Sequence, residues 1–164
     1  MEEEKECCPK FNPEKWDGKT FVWENKQFIM ESLHTLFHMP FPPTIGKKIT
    51  KMMNLATKEN KVPEDKNELL MLFRDPSAFK SEIYISVTGE VPEANNVTLS
   101  GTFIAKVYDG GFNDVPKFVK DMNQILAKEG KTVKDSDYYV HYAYCPKCAK
   151  KFGNNYMVLF AKVE

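Results

Sequence analysis

The sequence predicts an α+β fold: two tandem strand–helix–strand–strand modules related by pseudo-two-fold symmetry, with antiparallel sheets forming a central cleft. Three observations predict it. Leu99–Lys131 reads as a strand, a Gly-Gly turn, a helix and a Gly stop, and Lys26–Lys61 repeats that plan. Two strand-like runs then follow each helix: Glu68–Arg74 and Glu82–Thr88, then Asp137–Tyr144 and Asn155–Val163. Both helices end on a matching tetrapeptide, Lys58-Glu59-Asn60-Lys61 and Lys128-Glu129-Gly130-Lys131. Matching order across all four elements favours duplication over chance.

Residues 1–19 form a lead segment, 20–92 the first module and 93–164 the second. The lead opens with a short acidic tail, but Phe11 and Trp16 mark an ordered stretch, since free tails rarely carry such side chains. Thr20–Trp23 reads as a short strand, and Asn25-Lys26 turns it into the strand Gln27–His38. Pro40, Pro42 and Pro43 end that strand and set the start of a helix. Its apolar stripe is Ile45, Ile49, Met52-Met53 and Leu55-Ala56, and Asn60 is its left-handed stop. Lys58–Asn67 is a polar loop with Pro63, Asp75–Ser81 a turn, and Glu90–Asn96 the module boundary.

The second module opens with Thr102–Tyr108, rich in β-branched and aromatic residues. Gly110-Gly111 supplies the turn, and Asn113 or Asp114 caps a helix with Pro116 in its first turn. Val115, Phe118, Val119, Met122 and Ile125-Leu126 recur at helical spacing up to Gly130. Cys145–Gly153 is a long loop between the last two strands.

Composition narrows the function. Hydrophobic residues make up 42% and aromatics 13%, enough for a sizeable core, and the formal net charge is zero. A neutral chain is neither a generic nucleic-acid binder nor a basic membrane-surface protein. No apolar run approaches the about 20 residues of a membrane span. The first residues, MEEEKECCPK, lack the apolar core of a signal peptide, so a cytoplasmic protein is expected. Its partner is a small-molecule ligand, with no nucleic acid and no membrane, and the chain is a monomer or homodimer. Right-handed packing puts both helices on one side of the sheets. The open faces then meet in a cleft, a common kind of ligand site.

Aromatic residues concentrate in the strands. The bland reading is core packing; the functional one is an aromatic box for a flat or cationic ligand. Tyrosines stand on both alternating faces of Tyr138–Tyr144, so one face lines the surface away from the helices. Glu31 and Glu82 lie in strands, where a carboxylate is disfavoured unless exposed or used. In an aromatic cleft such a group has a raised pKa and acts as general acid or base. A phenol such as Tyr84 supplies a donor to a developing oxyanion. The expected catalytic pair is Glu82 with Tyr84. Trp23, Glu31, Phe41, Tyr108, Tyr139 and His141 are the expected ligand contacts.

The three histidines lack metal-like spacing, although His141 lies among tyrosines and suits a proton shuttle. Cys145-Pro146-Lys147-Cys148 is a C-x-x-C knuckle, and Cys7-Cys8 is the pair to join it in a four-sulfur structural zinc site. A thiol–disulfide pair and inert thiols are the competing readings. No cofactor for catalysis is expected: there is no P-loop or dinucleotide fingerprint, and no serine has a G-x-S-x-G context.

Gly101–Ala127, with Gly110-Gly111-Phe112 at its turn, and the closing strands DYYVHYAY and NYMVLFAKV resemble the GyrI-like small-molecule-binding superfamily over about residues 20–164. The motifs Cys7-Cys8-Pro9-Lys10-Phe11 and Cys145-Pro146-Lys147-Cys148-Ala149-Lys150 resemble a cysteine-bearing subgroup of its stand-alone, hydrolase branch. The resemblance implies two fused modules around an apolar, aromatic cleft. It also implies acidic residues in that cleft, which favours Glu82 with Tyr84. Some members of that branch add water to cyclopropane rings of DNA-alkylating natural products, so detoxification by hydrolysis is the implied activity. Non-catalytic sequestration of hydrophobic, cationic compounds is the alternative, and a zinc- or redox-responsive role for the cysteines the second.

Overall fold

A computed structural model of the chain describes residues 11–36, 39–40, 42–64, 68–77, 80–143, 150, 153 and 155–163. The strands are β1 (Thr20–Leu36), β2 (Met39–Pro40), β3 (Met71–Ser77), β4 (Lys80–Ser86), β5 (Asn96–Asp109), β6 (Tyr138–Tyr142) and β7 (Tyr156–Lys162). The helices are α1 (Pro42–Lys58) and α2 (Val115–Lys128).

All the strands described belong to one antiparallel sheet in the order β2-β1-β4-β3-β6-β7-β5. A further pairing of β1 with β5 closes β1, β4, β3, β6, β7 and β5 into a ring. Two sheets with a cleft between them were expected; the structure has one. The reason is edge pairing. β3 meets β6 and β1 meets β5, so strand edges that separate modules would leave open are hydrogen-bonded instead.

β1 is one strand where the sequence suggested two joined by a turn. Asn25 adopts φ 50, but within a bulge: Trp23 pairs with Gly101 and Lys26 with Leu99, so β1 carries one residue more than β5 there. A bulge inverts the alternation of side chains. Phe21 and Trp23 before it therefore share a face with Phe28 and Met30 after it.

That inner face carries an aromatic core of Phe28, Tyr84, Phe103, Tyr139 and Phe160, crossed by Trp16 of the lead segment. Asn12 caps the short 3-10 turn Pro13–Lys15 that delivers Trp16. The outer face is covered by helices. Met52 and Ala56 of α1 pack on Ile29, Leu33, Ile83 and Ile85. Met122 and Leu126 of α2 pack on Val140, Met157 and Leu159.

Both helix stops fall where the sequence put them. Asn60 has φ 54 and Gly130 φ 75, and the next residue in each case bonds five residues back: Lys61 N–H to the Ala56 carbonyl and Lys131 N–H to the Leu126 carbonyl, both 2.9 Å. This is the left-handed helix ending that satisfies orphan carbonyls. Asp114 is the N-cap residue of α2, yet its carboxylate turns back to accept Gly111 N–H at 2.9 Å. Among the described residues no helix is long and apolar enough to cross a membrane.

Candidate functional site

Alternation along β4 sends Ile83 and Ile85 outward to α1 and Tyr84 inward to the aromatic core. Glu82 shares the inward parity and is 8% exposed. A buried carboxylate is costly unless paired. The pair comes from the adjacent strand, where Arg74 is the register partner of Glu82. Arg74 Nη1 donates to Glu82 Oε1 at 2.6 Å, and its Nε donates to the Ser136 carbonyl at 2.5 Å. The Tyr84 hydroxyl donates to the same Oε1 at 3.1 Å. Both donors engage Oε1, and neither engages Oε2.

The rings of Tyr84 and Tyr139 meet edge to face at 5.8 Å, and the Arg74 guanidinium lies 5.8 Å from the Tyr139 ring centre. Burial, then the Glu82 charge, pushes the Tyr84 phenol well above its ordinary range. Burial also raises Tyr139. Both phenols keep their protons at neutral pH, and that of Tyr84 is donated to Glu82. The arrangement can take a proton at Glu82 Oε2 and donate one from Tyr84, within an apolar wall.

The remaining expected contacts divide by face. Trp23 joins the inner core, its ring 4.4 Å from Phe103. His141 is also inward, but its Nδ1 accepts Met71 N–H at 3.1 Å and so ties β6 to β3. Burial lowers its pKa from 6.5 to about 4, which keeps the ring neutral at pH 7. Glu31 lies on the helix side, bonded by Lys51 at 2.9 Å and Lys48 at 3.4 Å, and the Lys51 bond chiefly holds its carboxyl below the usual range. Simple alternation pairs Glu31 with Trp23; the bulge between them puts them on opposite faces. Tyr108 is likewise on the helix side, stacked on Phe118 at 4.4 Å and donating to Asp121 Oδ2 at 2.6 Å. Neither residue meets the Glu82 cluster. Phe41, Cys7, Cys8, Cys145 and Cys148 lie outside the described residues.

Sequence reasoning missed Arg74 and the placement of Trp16. The signal for Arg74 was present: it is the single arginine among 22 lysines, and it stands inside a strand. An open hollow along α1, lined by Gly46, Lys47, Thr50, Lys51, Asn54, Leu55 and Lys58, involves none of the Glu82 cluster.

A ring-shaped antiparallel sheet with two outer helices encloses an acid–phenol–guanidinium cluster. The chain belongs to the bacterial hydrolase family, whose sequence model matches residues 1–163. Its fold is similar to that of the EcmrR C-terminal domain, with a TM-score of 0.66 and 11% identity over 89% of this chain and 96% of that one. It is also similar to an uncharacterized conserved protein from Listeria innocua, with a TM-score of 0.66 and 11% identity over 91% and 94% of the two chains. A hydrolase from Listeria innocua has a TM-score of 0.59 and 10% identity over 91% and 93%. These neighbours fit a GyrI-like fold. No curated protein sequence matches the chain significantly.

Proposed function

We propose that this protein binds small, flat, hydrophobic molecules at the inner face of the ring and hydrolyses an electrophilic one. The observation that supports this reading best is Glu82: buried beside Tyr84, anchored at Oε1 by Arg74 and Tyr84, with Oε2 engaged by neither. The substrate is a strained, activated ring, with the cyclopropane of a DNA-alkylating compound as the case. Glu82 Oε2 takes a proton as water attacks a ring carbon. The C–O bond forms, the ring C–C bond breaks, and its electron pair moves into the conjugated carbonyl. Tyr84 donates to that developing oxyanion, and the proton on Glu82 returns to the product. A flat ligand stacks where Trp16 now lies against Phe160.

In this reading the two halves are repeats of one strand–helix–strand–strand module, and the protein detoxifies in the cytoplasm. The resemblance of the CCP and CPKC motifs supports reading it as a member of the stand-alone branch. Binding without turnover is the second reading, favoured by the Tyr84–Glu82 bond, which spends the phenol proton inside the protein.

Incubation with a cyclopropane-bearing alkylator, followed by mass spectrometry, separates them. A water adduct formed by the wild type and lost in Glu82→Gln supports hydrolysis. Retained compound with no adduct supports sequestration. Adduct formation unchanged in Glu82→Gln overturns the mechanism.

A further inference from the structure

A site that captures cations presents an unpaired carboxylate and ring faces free of other cations. The inner face of this ring presents neither. The carboxylate of Glu82 is already paired with Arg74 at 2.6 Å. The same guanidinium lies 5.8 Å from the Tyr139 ring centre, Lys26 Nζ 5.8 Å from that of Trp23, and Lys15 Nζ 5.3 Å from that of Trp16. The chain has thus put its own positive charge over three rings of the inner-face cluster. Two other carboxylates stand close by. Asp137 acts on Tyr139 from the turn that holds Ser136, and Asp17 is engaged by Val107 N–H at 3.0 Å. Neither is as buried as Glu82, and neither is paired with Arg74.

We propose that Arg74 is a specificity-determining residue that selects uncharged flat ligands over cations of the same shape. The proposal rests on the reading that the inner face takes a ligand. Its basis is like-charge exclusion: a cation stacked on Tyr139 shares a low-dielectric wall with a guanidinium that the Ser136 carbonyl and Glu82 hold in place. An uncharged ring pays no such penalty and keeps the stacking surface.

The test uses N-methylacridone and N-methylacridinium, which share a ring system and differ in charge. Titration of the wild type should show the neutral compound bound at least about tenfold more tightly. Arg74→Met, which keeps the apolar stem and leaves Glu82 unpaired, should narrow that ratio by about tenfold or reverse it. Adding Glu82→Gln to Arg74→Met should bring the cation's affinity back down. Should Arg74→Met fail to fold, Arg74→Gln, which removes the charge but keeps a donor for Glu82, carries the test, with the same direction of change expected. Wild type that binds the cation as tightly as the neutral ring, or a ratio unmoved in the variants, overturns the selection while leaving ligand binding intact. Failure of wild type to bind either compound overturns the ligand site itself, and the selection with it.

Discussion

Arg74 and Glu82 face each other across β3 and β4 as register partners, with guanidinium and carboxylate 2.6 Å apart and side chains 23% and 10% exposed. The pair is internal to the sheet, and the arginine is held from behind by the Ser136 carbonyl. Removing one member strands the other charge in a poorly solvated place. Arg74→Leu should therefore destabilise the protein by about 3 kcal/mol, and Arg74→Leu with Glu82→Leu should recover most of that loss. Urea denaturation of the two singles and the double at pH 7 gives the coupling directly. Additive losses in the double would mean that the pair is not a unit.

The two oxygens of Glu82 have different roles in the proposed hydrolysis. Glu82→Gln should lower the rate of water addition by about 10²- to 10⁴-fold, as expected for loss of a general base. Tyr84→Phe should lower it by about 10²-fold, as expected for loss of an oxyanion donor. The phenylalanine variant loses only one hydrogen bond, so its stability should fall by about 1 kcal/mol. Single-turnover kinetics beside thermal melts distinguishes the two effects. A Tyr84→Phe enzyme at full rate removes the phenol from the mechanism.

His141 links stability to pH. Its pKa is about 4 in the folded chain against 6.5 for the free group, lowered by burial. Above pH 6.5 both states hold a neutral ring, and the full contribution is present. As pH falls from 6.5 toward 4 the unfolded chain binds a proton that the folded chain excludes, so stability drops, in total on the order of 3 kcal/mol. Glu31 and Asp121, whose pKa values are lowered by their lysine and tyrosine partners, add their losses at lower pH, below the ordinary carboxylate range. Denaturation at pH 7, 6 and 5 should show this slope in wild type and a flatter one in His141→Asn. Parallel slopes would place the titrating group elsewhere.

Gly130 gives a clean measure of the helix stop. It has φ 75, and a Cβ added there meets nothing within 4 Å. Gly130→Ala should cost about 1 kcal/mol from backbone conformation alone. Gly130→Asn should cost less, because asparagine tolerates the left-handed region, as Asn60 does at the matching stop with φ 54. Equal melting temperatures for all three would show that the ending relaxes without strain.

The expectation of an acid and a phenol inside the sheet came from one strand. Glu82 and Tyr84 are two apart, so they share a face whichever way β4 turns, and Tyr139 and His141 share one for the same reason. The positions of both helices and their stops were equally legible. Periodicity, proline starts and a left-handed residue at the end are contained in a few consecutive positions. Trp16 was legible as ordered, but not as the residue laid across the aromatic core.

The amino-acid order alone therefore determined both helices with their stops and the parity within each unbroken run of strand. Only the tertiary structure decided how those parities combine. The bulge at Asn25 separates Trp23 from Glu31, the β3–β4 register brings Arg74 to Glu82, and the β3–β6 and β1–β5 pairings make one ring where two sheets were expected. The physical reason is range. Backbone preference and alternation act between near neighbours in the chain, whereas register and edge pairing are set by hydrogen bonds between segments far apart in sequence, and a shift of one residue sends every side chain to the other face.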